Sequence, residues 1–225
     1  MLLRNNFSGA ENTAPPLVLV HGFLGSPQDW DLLVAHLPNY PTLCVTLPGH
    51  SSKPIQEPLS ELAHLPSMHL VGYSLGGRLA LRFAEKYPEK IRSLTLISTH
   101  LGLKSEEARQ KRLVHDAQLA DRLRKLPLDL FLERWYAQEI FAGFKPDLTH
   151  RLKHNPHHLA DLLMRYSLGH PAPLVPPYTT LITGARDIKF CKLYPEAHII
   201  PDAGHMVHLE QPAHLAALLH TMTAI

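Results

Sequence analysis

The stretch "HLVGYSLGGRLAL" (69–81) restricts the fold more than any other. Apolar residues of strand type run up to Gly72. A serine follows between glycines, and Leu75, Leu79, Phe83 and Tyr87 then recur at helical spacing. A chain that passes from strand to helix this abruptly makes a sharp turn, and Gly72 and Gly76 remove the Cβ atoms that would clash there. The turn pushes the Ser74 hydroxyl into open space and aims the first N–H groups of the helix at whatever binds beside it. A glycine-containing turn with an incidental serine has the same local pattern, so the rest of the chain must supply what a reactive serine needs.

Apolar runs of the same kind recur along the chain, in "PPLVLV" (15–20), "TLCVTLPGH" (42–50), "MHLVGY" (68–73), "IRSLTLIST" (91–99), "YTTLITG" (178–184) and "AHIIP" (197–201). Helical patterns separate most of them, which predicts an α/β fold with a mostly parallel sheet flanked by helices. Ser26-Pro27-Gln28-Asp29 reads as a helix start, with an N-cap, a proline at the first position and an acid at the third. Sites in such sheets gather at the carboxyl ends of the strands, where His21, Ser74, Thr99 and the residues after Gly184 fall. Residues 103–170 break the alternation: they are charged, helix-prone and strand-free, and predict a helical cap inserted into a core of 1–102 and 171–225. Pro171, Pro173, Pro176 and Pro177 return the chain to the sheet. A length of 225 residues suits one such domain.

Several function classes lose support at this level. A formal net charge of +2 gives no argument for nucleic acid. Cys44 and Cys191 offer neither a disulfide framework nor a four-cysteine zinc site. The opening "MLLRNNFSGAENTAPP" lacks a signal-peptide core, and no apolar run is long enough for a membrane span, so a soluble cytoplasmic protein is expected. Seventeen histidines invite a metal reading, at "HNPHH" (154–158) and "HMVH" (205–208) above all. Neither has H-E-x-x-H or C-x-x-C spacing, so both read as solvated surface histidines and no metal is expected.

A serine hydroxyl needs an imidazole to take its proton and an acid to hold and balance that imidazole. "LITGARD" puts Asp187 just beyond the fifth apolar run, and "IIPDAGHMVHLEQP" puts His205 after the sixth. The order Ser74, Asp187, His205 is that of a nucleophile elbow followed by its acid and base. His208 competes with His205, and Asp202 with Asp187. The N–H groups of Leu75 and of Phe23, in the loop after the first run, are the candidates for an oxyanion hole.

"VHGFLGSPQDW", "LPGH", "VGYSLGGRLAL", the cap's "WYAQEIFA" and "TGARDIKF…AGHMVHLEQP" together resemble the 2-succinyl-6-hydroxy-2,4-cyclohexadiene-1-carboxylate synthases of menaquinone biosynthesis, a family of α/β-hydrolase fold. The resemblance runs from about residue 17 to 215. It implies a lyase: the triad acts as a base on the substrate ring system, and pyruvate is eliminated from an enolpyruvyl ether without metal or organic cofactor. It also implies a small-molecule substrate with several carboxylates, bound by Tyr73, Arg78, Arg112, Trp135 and Lys189. The residues speak independently for Arg78, since a cation in the first turn of a helix opposes the macrodipole and its side chain leans back toward Ser74. A solvated arginine on a helix face is the plainer alternative, more so for Arg109 and Arg112, which sit among glutamates at helical spacing.

The chain also departs from the family. The connection 51–68 is shorter, Thr46 and Ser51 stand where the family has aspartate and glycine, and a further cap arginine has only Arg151 or Lys153 as candidates. A carboxylic-ester hydrolase, acting for example on an acyl-carrier-protein methyl ester with Ser74 as nucleophile, is the alternative reading. It has no need of Arg78.

Overall fold

The computed structural model describes residues 3–5, 14–38, 40–50 and 57–223. In chain order the strands are β1 (Leu3–Asn5), β2 (Leu17–Val20), β3 (Thr42–Val45), β4 (Met68–Tyr73), β5 (Ile91–Ile97), β6 (Thr179–Gly184) and β7 (His198–Ile200). The helices are α1 (Asp31–Ala35), α2 (Leu75–Lys86), α3 (Glu106–Lys125), α4 (Leu128–Tyr136), α5 (Pro156–Arg165), α6 (Ile188–Leu193), α7 (Val207–Glu210) and α8 (Pro212–Thr223). All six expected strands are present, most of them shorter than their apolar runs. One was missed: β1 pairs antiparallel with β3, and its three residues are too few for an alternation to register.

The sheet order is β1-β3-β2-β4-β5-β6-β7, with every pair after the first parallel. The chain runs outward from β2 to β3 and then crosses back to β4, so β2 and β4 are neighbours at the switch point of the sheet. Their registered ends, Val20 against Gly72, release the Phe23 loop and the Ser74 turn side by side.

Period-two alternation divides the strand residues between two cores. Leu17, Leu19, Val71 and Tyr73 pack with Trp30, Leu33, Leu215 and Leu219. Val18, Val20, Leu70, Leu94 and Leu96 pack with Leu75, Leu79 and Phe83 of α2 on the other face. The Ser26 start holds: a 3-10 turn over Pro27–Trp30 leads into α1, and the Ser26 N–H donates to Asp29 Oδ2 at 3.1 Å. Of the short connection 51–68, residues 51–56, Ser51 included, lie outside the described residues. The rest holds a 3-10 turn at Ser60–His64 that buries Leu62.

Between β5 and β6 the chain forms α3, α4 and α5. Ser105 caps α3 by accepting from the Ala108 N–H at 3.1 Å, with Glu106 and Glu107 in the first turn and Arg122, Arg124 and Lys125 in the last, the polarity that complements the helix dipole. Asn155 caps α5 by accepting from the His157 and His158 N–H groups. Ala120, Leu123, Phe131, Leu132, Leu159 and Leu163 form a third apolar cluster, which Leu24 of the β2 loop enters.

Candidate active site

Ser74 sits between β4 and α2 at φ 51°, a conformation that costs a non-glycine residue roughly 1–3 kcal/mol and persists only where the surroundings dictate it. The surroundings do dictate it. A Cβ on Gly76 would stand 2.3 Å from the Val20 and His21 carbonyl oxygens, and one on Gly72 would stand 2.5 Å from the Gly77 Cα. The Ser74 N–H donates to the Ile97 carbonyl at 3.0 Å, which pins the turn to β5. Leu24 (φ 60°) and Ser98 (φ 45°) are strained in the same sense just beyond β2 and β5, so the strain gathers at the carboxyl ends of the central strands.

His205 Nδ1 donates to Asp187 Oδ2 at 2.6 Å, and both side chains are buried. A carboxylate only accepts, so the proton lies on Nδ1 and Nε2 keeps its lone pair. Asp187 Oδ1 also accepts from the Phe190 N–H at 3.3 Å, which fixes the carboxylate at the start of α6. Tyr73, Phe141 and Phe190 surround the imidazole at ring-centre distances of 5.3 to 5.7 Å. Ser74 and His205 line one cavity of about 280 Å³, with no hydrogen bond between them among the described residues. Such contacts often tighten only when substrate is bound.

The rivals fall elsewhere. His208 is fully buried against Trp30 and Tyr73, with neither ring nitrogen hydrogen-bonded, and burial above all lowers its pKa to about 3. Asp202 is exposed. The expectation of solvated histidines is corrected at three places: His154, His205 and His208 are all buried, because they pack against rings from distant parts of the chain, His50 for the first, Phe141 for the second and Trp30 for the third. Among the described residues no three potential metal ligands converge.

Of the residues expected to bind substrate, Arg78, Arg112, Trp135 and Lys189 all line the Ser74 cavity. Tyr73 does not. It is buried beneath the site, and its ring supports His205 and His208. Burial first, and then the charge of Arg112, pulls the Arg78 guanidinium down to about 10, still cationic at neutral pH. Its Nη1 donates to the Tyr166 carbonyl at 2.7 Å, and no carboxylate lies within ion-pair distance of it among the described residues. Leu75 is buried at the start of α2, and the Phe23 ring packs edge-on against Trp135 at 5.4 Å.

His100 also lines the cavity and was not singled out from sequence, although it follows the strand-end Thr99 directly. Its Nδ1 accepts from the Gly102 N–H at 3.1 Å, which leaves the proton on Nε2. Burial first, then the charges of Lys189, Arg112 and Arg78, lowers its pKa to about 4. The cavity is therefore strongly cationic, and among the described residues lining it there is no aspartate or glutamate.

Arg151 and Lys153, the candidates for the further family arginine, take other places. Lys153 is exposed. Arg151 is buried outside the cavity: Nη2 donates to Asp29 Oδ1 at 2.7 Å, Nε to the Tyr136 hydroxyl at 2.9 Å and Nη1 to the Asp147 carbonyl at 2.6 Å. Arg109 is held by Glu106 and likewise does not line the cavity.

Residues 17–218 match the model of the alpha/beta hydrolase family. The 2-succinyl-6-hydroxy-2,4-cyclohexadiene-1-carboxylate synthase of Enterobacter sp. (strain 638) is 32% identical over 97% of this chain and 95% of its own length. The enzyme of the same name from Yersinia pestis (strain Pestoides F) is 37% identical over 92% and 86%. Among solved structures, MenH from S. aureus superposes with a TM-score of 0.83 at 23% identity, covering 99% of this chain and 97% of that one. A thermophilic esterase from Thermogutta terrifontis (malate bound) gives 0.72 at 21%, covering 98% and 91%. At those identities both structures speak for the fold.

Proposed function

The chain belongs to the alpha/beta hydrolase family and, within it, to the 2-succinyl-6-hydroxy-2,4-cyclohexadiene-1-carboxylate synthases, and on that premise we propose that it eliminates pyruvate from an enolpyruvyl cyclohexene dicarboxylate in menaquinone biosynthesis. One observation carries the reading beyond kinship. Among the described residues the space beside Ser74 is lined by Arg78, Arg112 and Lys189 and by no carboxylate; Asp116, outside the lining, pairs with Arg112 alone of the three, so the natural occupant is a small polyanion.

In this reading Ser74, His205 and Asp187 work as one base. The Nε2 lone pair of His205 takes the Ser74 proton, Asp187 balances the imidazolium, and the Ser74 oxygen removes a proton from the substrate ring. The C–H electrons become a ring double bond and the C–O bond to the enolpyruvyl group breaks. The enolpyruvyl oxygen leaves with the bond pair as an enolate, which takes up one proton at its methylene carbon and becomes pyruvate, while release of the proton held by His205 returns the triad to its starting state. The N–H groups of Leu75 and Phe23 stabilise the oxygen on which negative charge gathers as the ring proton leaves. Arg78, Arg112 and Lys189 hold carboxylates, Trp135 walls the ring, and residues 103–170 serve as a cap over the core formed by 1–102 and 171–225. Tyr73 acts from beneath, by holding the imidazole.

The experiment is incubation with the enolpyruvyl cyclohexene dicarboxylate, following pyruvate. Wild type should release it, and Ser74→Ala should lose roughly a thousand-fold or more while remaining folded. If Ser74→Ala keeps more than about a tenth of the activity, the triad reading fails. If wild type releases no pyruvate but cleaves neutral acyl esters, the ester-hydrolase alternative replaces it.

A further inference from the structure

Asp116 is fully buried on α3, facing away from solvent and outside the cavity lining, yet it gathers the groups that shape the cavity. Its Oδ1 accepts from Arg112 Nε at 2.7 Å and faces the His115 ring at 3.3 Å. Its Oδ2 accepts from the Ser167 hydroxyl at 2.7 Å. Ser167 Oγ in turn accepts from the Gly169 N–H at 3.0 Å, so the turn after α5 is locked in place. That turn carries the Tyr166 carbonyl that holds Arg78 Nη1.

The geometry points to Asp116 as the residue that positions both arginines of the anion site: Arg112 directly through Nε, and Arg78 through Ser167 and the Tyr166 carbonyl. The inference rests on reading the cavity as a carboxylate site. Two features support it. Arg112 is engaged with Asp116 at Nε, so its terminal nitrogens remain available for a forked contact with a carboxylate. The two arginines come from different parts of the chain, α2 in the sheet core and α3 in the insertion, and repel each other, so something must set their distance. A buried carboxylate between their supports does that without entering the cavity and competing for the ligand.

The test separates positioning from mere stability. Asp116→Asn keeps the shape and drops the charge, and Ser167→Ala cuts the route to Arg78 while leaving Arg112 paired. For the enolpyruvyl dicarboxylate, Asp116→Asn should raise KM about ten-fold with kcat within about three-fold, and Ser167→Ala should raise KM about three-fold. Hydrolysis of a neutral ester, where measurable, should not change in either variant. In an Arg112→Met/Ser167→Ala background the Asp116→Asn effect should shrink to within about two-fold, because nothing remains for the carboxylate to aim. An unchanged KM in Asp116→Asn, or a full effect persisting in that background, overturns the inference. Calorimetric binding of succinate to the same variants gives the same coupling without turnover. A wild type that releases no pyruvate therefore sinks the synthase reading alone, whereas uncoupled succinate binding sinks this one.

Discussion

Arg151 and Arg78 are both desolvated arginines within the same enzyme, and their surroundings are opposite. Around Arg151 the protein supplies everything: Asp29, the Tyr136 hydroxyl and the Asp147 carbonyl. Burial alone would pull its pKa down, but Tyr136 and Asp29 together carry it above its ordinary value. Around Arg78 there is one carbonyl, and burial first, then the charge of Arg112, outweighs the pull of the more distant Asp116, so its pKa falls to about 10. Arg151, with a buried counter-ion and two further acceptors, is scaffolding. On the proposed reading Arg78, with no ion pair of its own among the described residues, holds its place for a substrate carboxylate.

The sharpest way to break that comparison is to remove the counter-ion. Asp29→Ala should strand a buried guanidinium and destabilise the fold by about 3–5 kcal/mol, read from chemical unfolding, while Asp29→Leu with Arg151→Met should recover most of the loss. If Asp29→Ala costs less than about 1 kcal/mol, the pair is not the support described here.

At Arg78 the effects on activity and stability should have opposite signs. Arg78→Met should lower kcat/KM for the dicarboxylate by roughly 30- to 1,000-fold, about 2–4 kcal/mol, because it leaves a substrate carboxylate unpaired. The same change should raise unfolding stability by about 0.5–2 kcal/mol, since it relieves a buried charge that the free protein does not balance. Loss of stability in Arg78→Met would put it in the same class as Arg151.

Ligand linkage sharpens the contrast further. Saturating succinate at about a hundred times its Kd should stabilise wild type by roughly 2.7 kcal/mol. It should do the same for the Asp29→Leu/Arg151→Met pair, and much less for Arg78→Met.

The smallest effect, counted for one histidine and one pH unit, concerns protons. His21 donates Nδ1–H to the Gly22 carbonyl and accepts the Leu47 N–H at Nε2, while His50 donates to Pro48 and accepts from Leu24. Burial lowers His21 and His154 to about 4, His208 to about 3 and His50 well below its usual value. These groups are neutral when folded but titrate near 6.5 when unfolded. Their stability is therefore fully present above about pH 6.5 and drains as pH falls toward 4, by up to about 1.4 kcal/mol per pH unit for each histidine. Unfolding midpoints between pH 7.5 and 4.5 check this, and His208→Phe should flatten the slope by one histidine's share.

Much of this was legible in the sequence, and for a physical reason. Strands, the Ser74 turn and the order Ser74, Asp187, His205 depend on local pattern and on chain order, which a sequence displays. Arg78 was legible because a cation in the first turn of a helix is misplaced locally. Asp116 and His100 were not, because what makes them matter is contact with residues far along the chain: Ser167 for the first, Lys189 and Arg112 for the second. Asp29 was read as the acid at the third position of a helix start, and it does accept the Ser26 N–H there, but its partner Arg151 lies 122 residues away. The buried histidines were misread for the same reason, since packing against a ring far along the chain leaves no local trace.

The strained Leu24 has a consequence for the order in which the molecule becomes functional. Its left-handed turn carries the neighbouring Phe23 N–H, and it is held by the His50 ring at its own N–H and by the Tyr136 hydroxyl of α4 at its carbonyl. Trp30 is buried in the core beneath the sheet, whereas one of the two hydrogen bonds on Leu24 comes from Tyr136 of α4, so the loop keeps its strained shape only with α4 docked. During refolding the fluorescence of Trp30 should therefore recover ahead of turnover, and turnover should keep time with Trp135. The two tryptophans of this chain should thus report two events, with activity arriving at the later one.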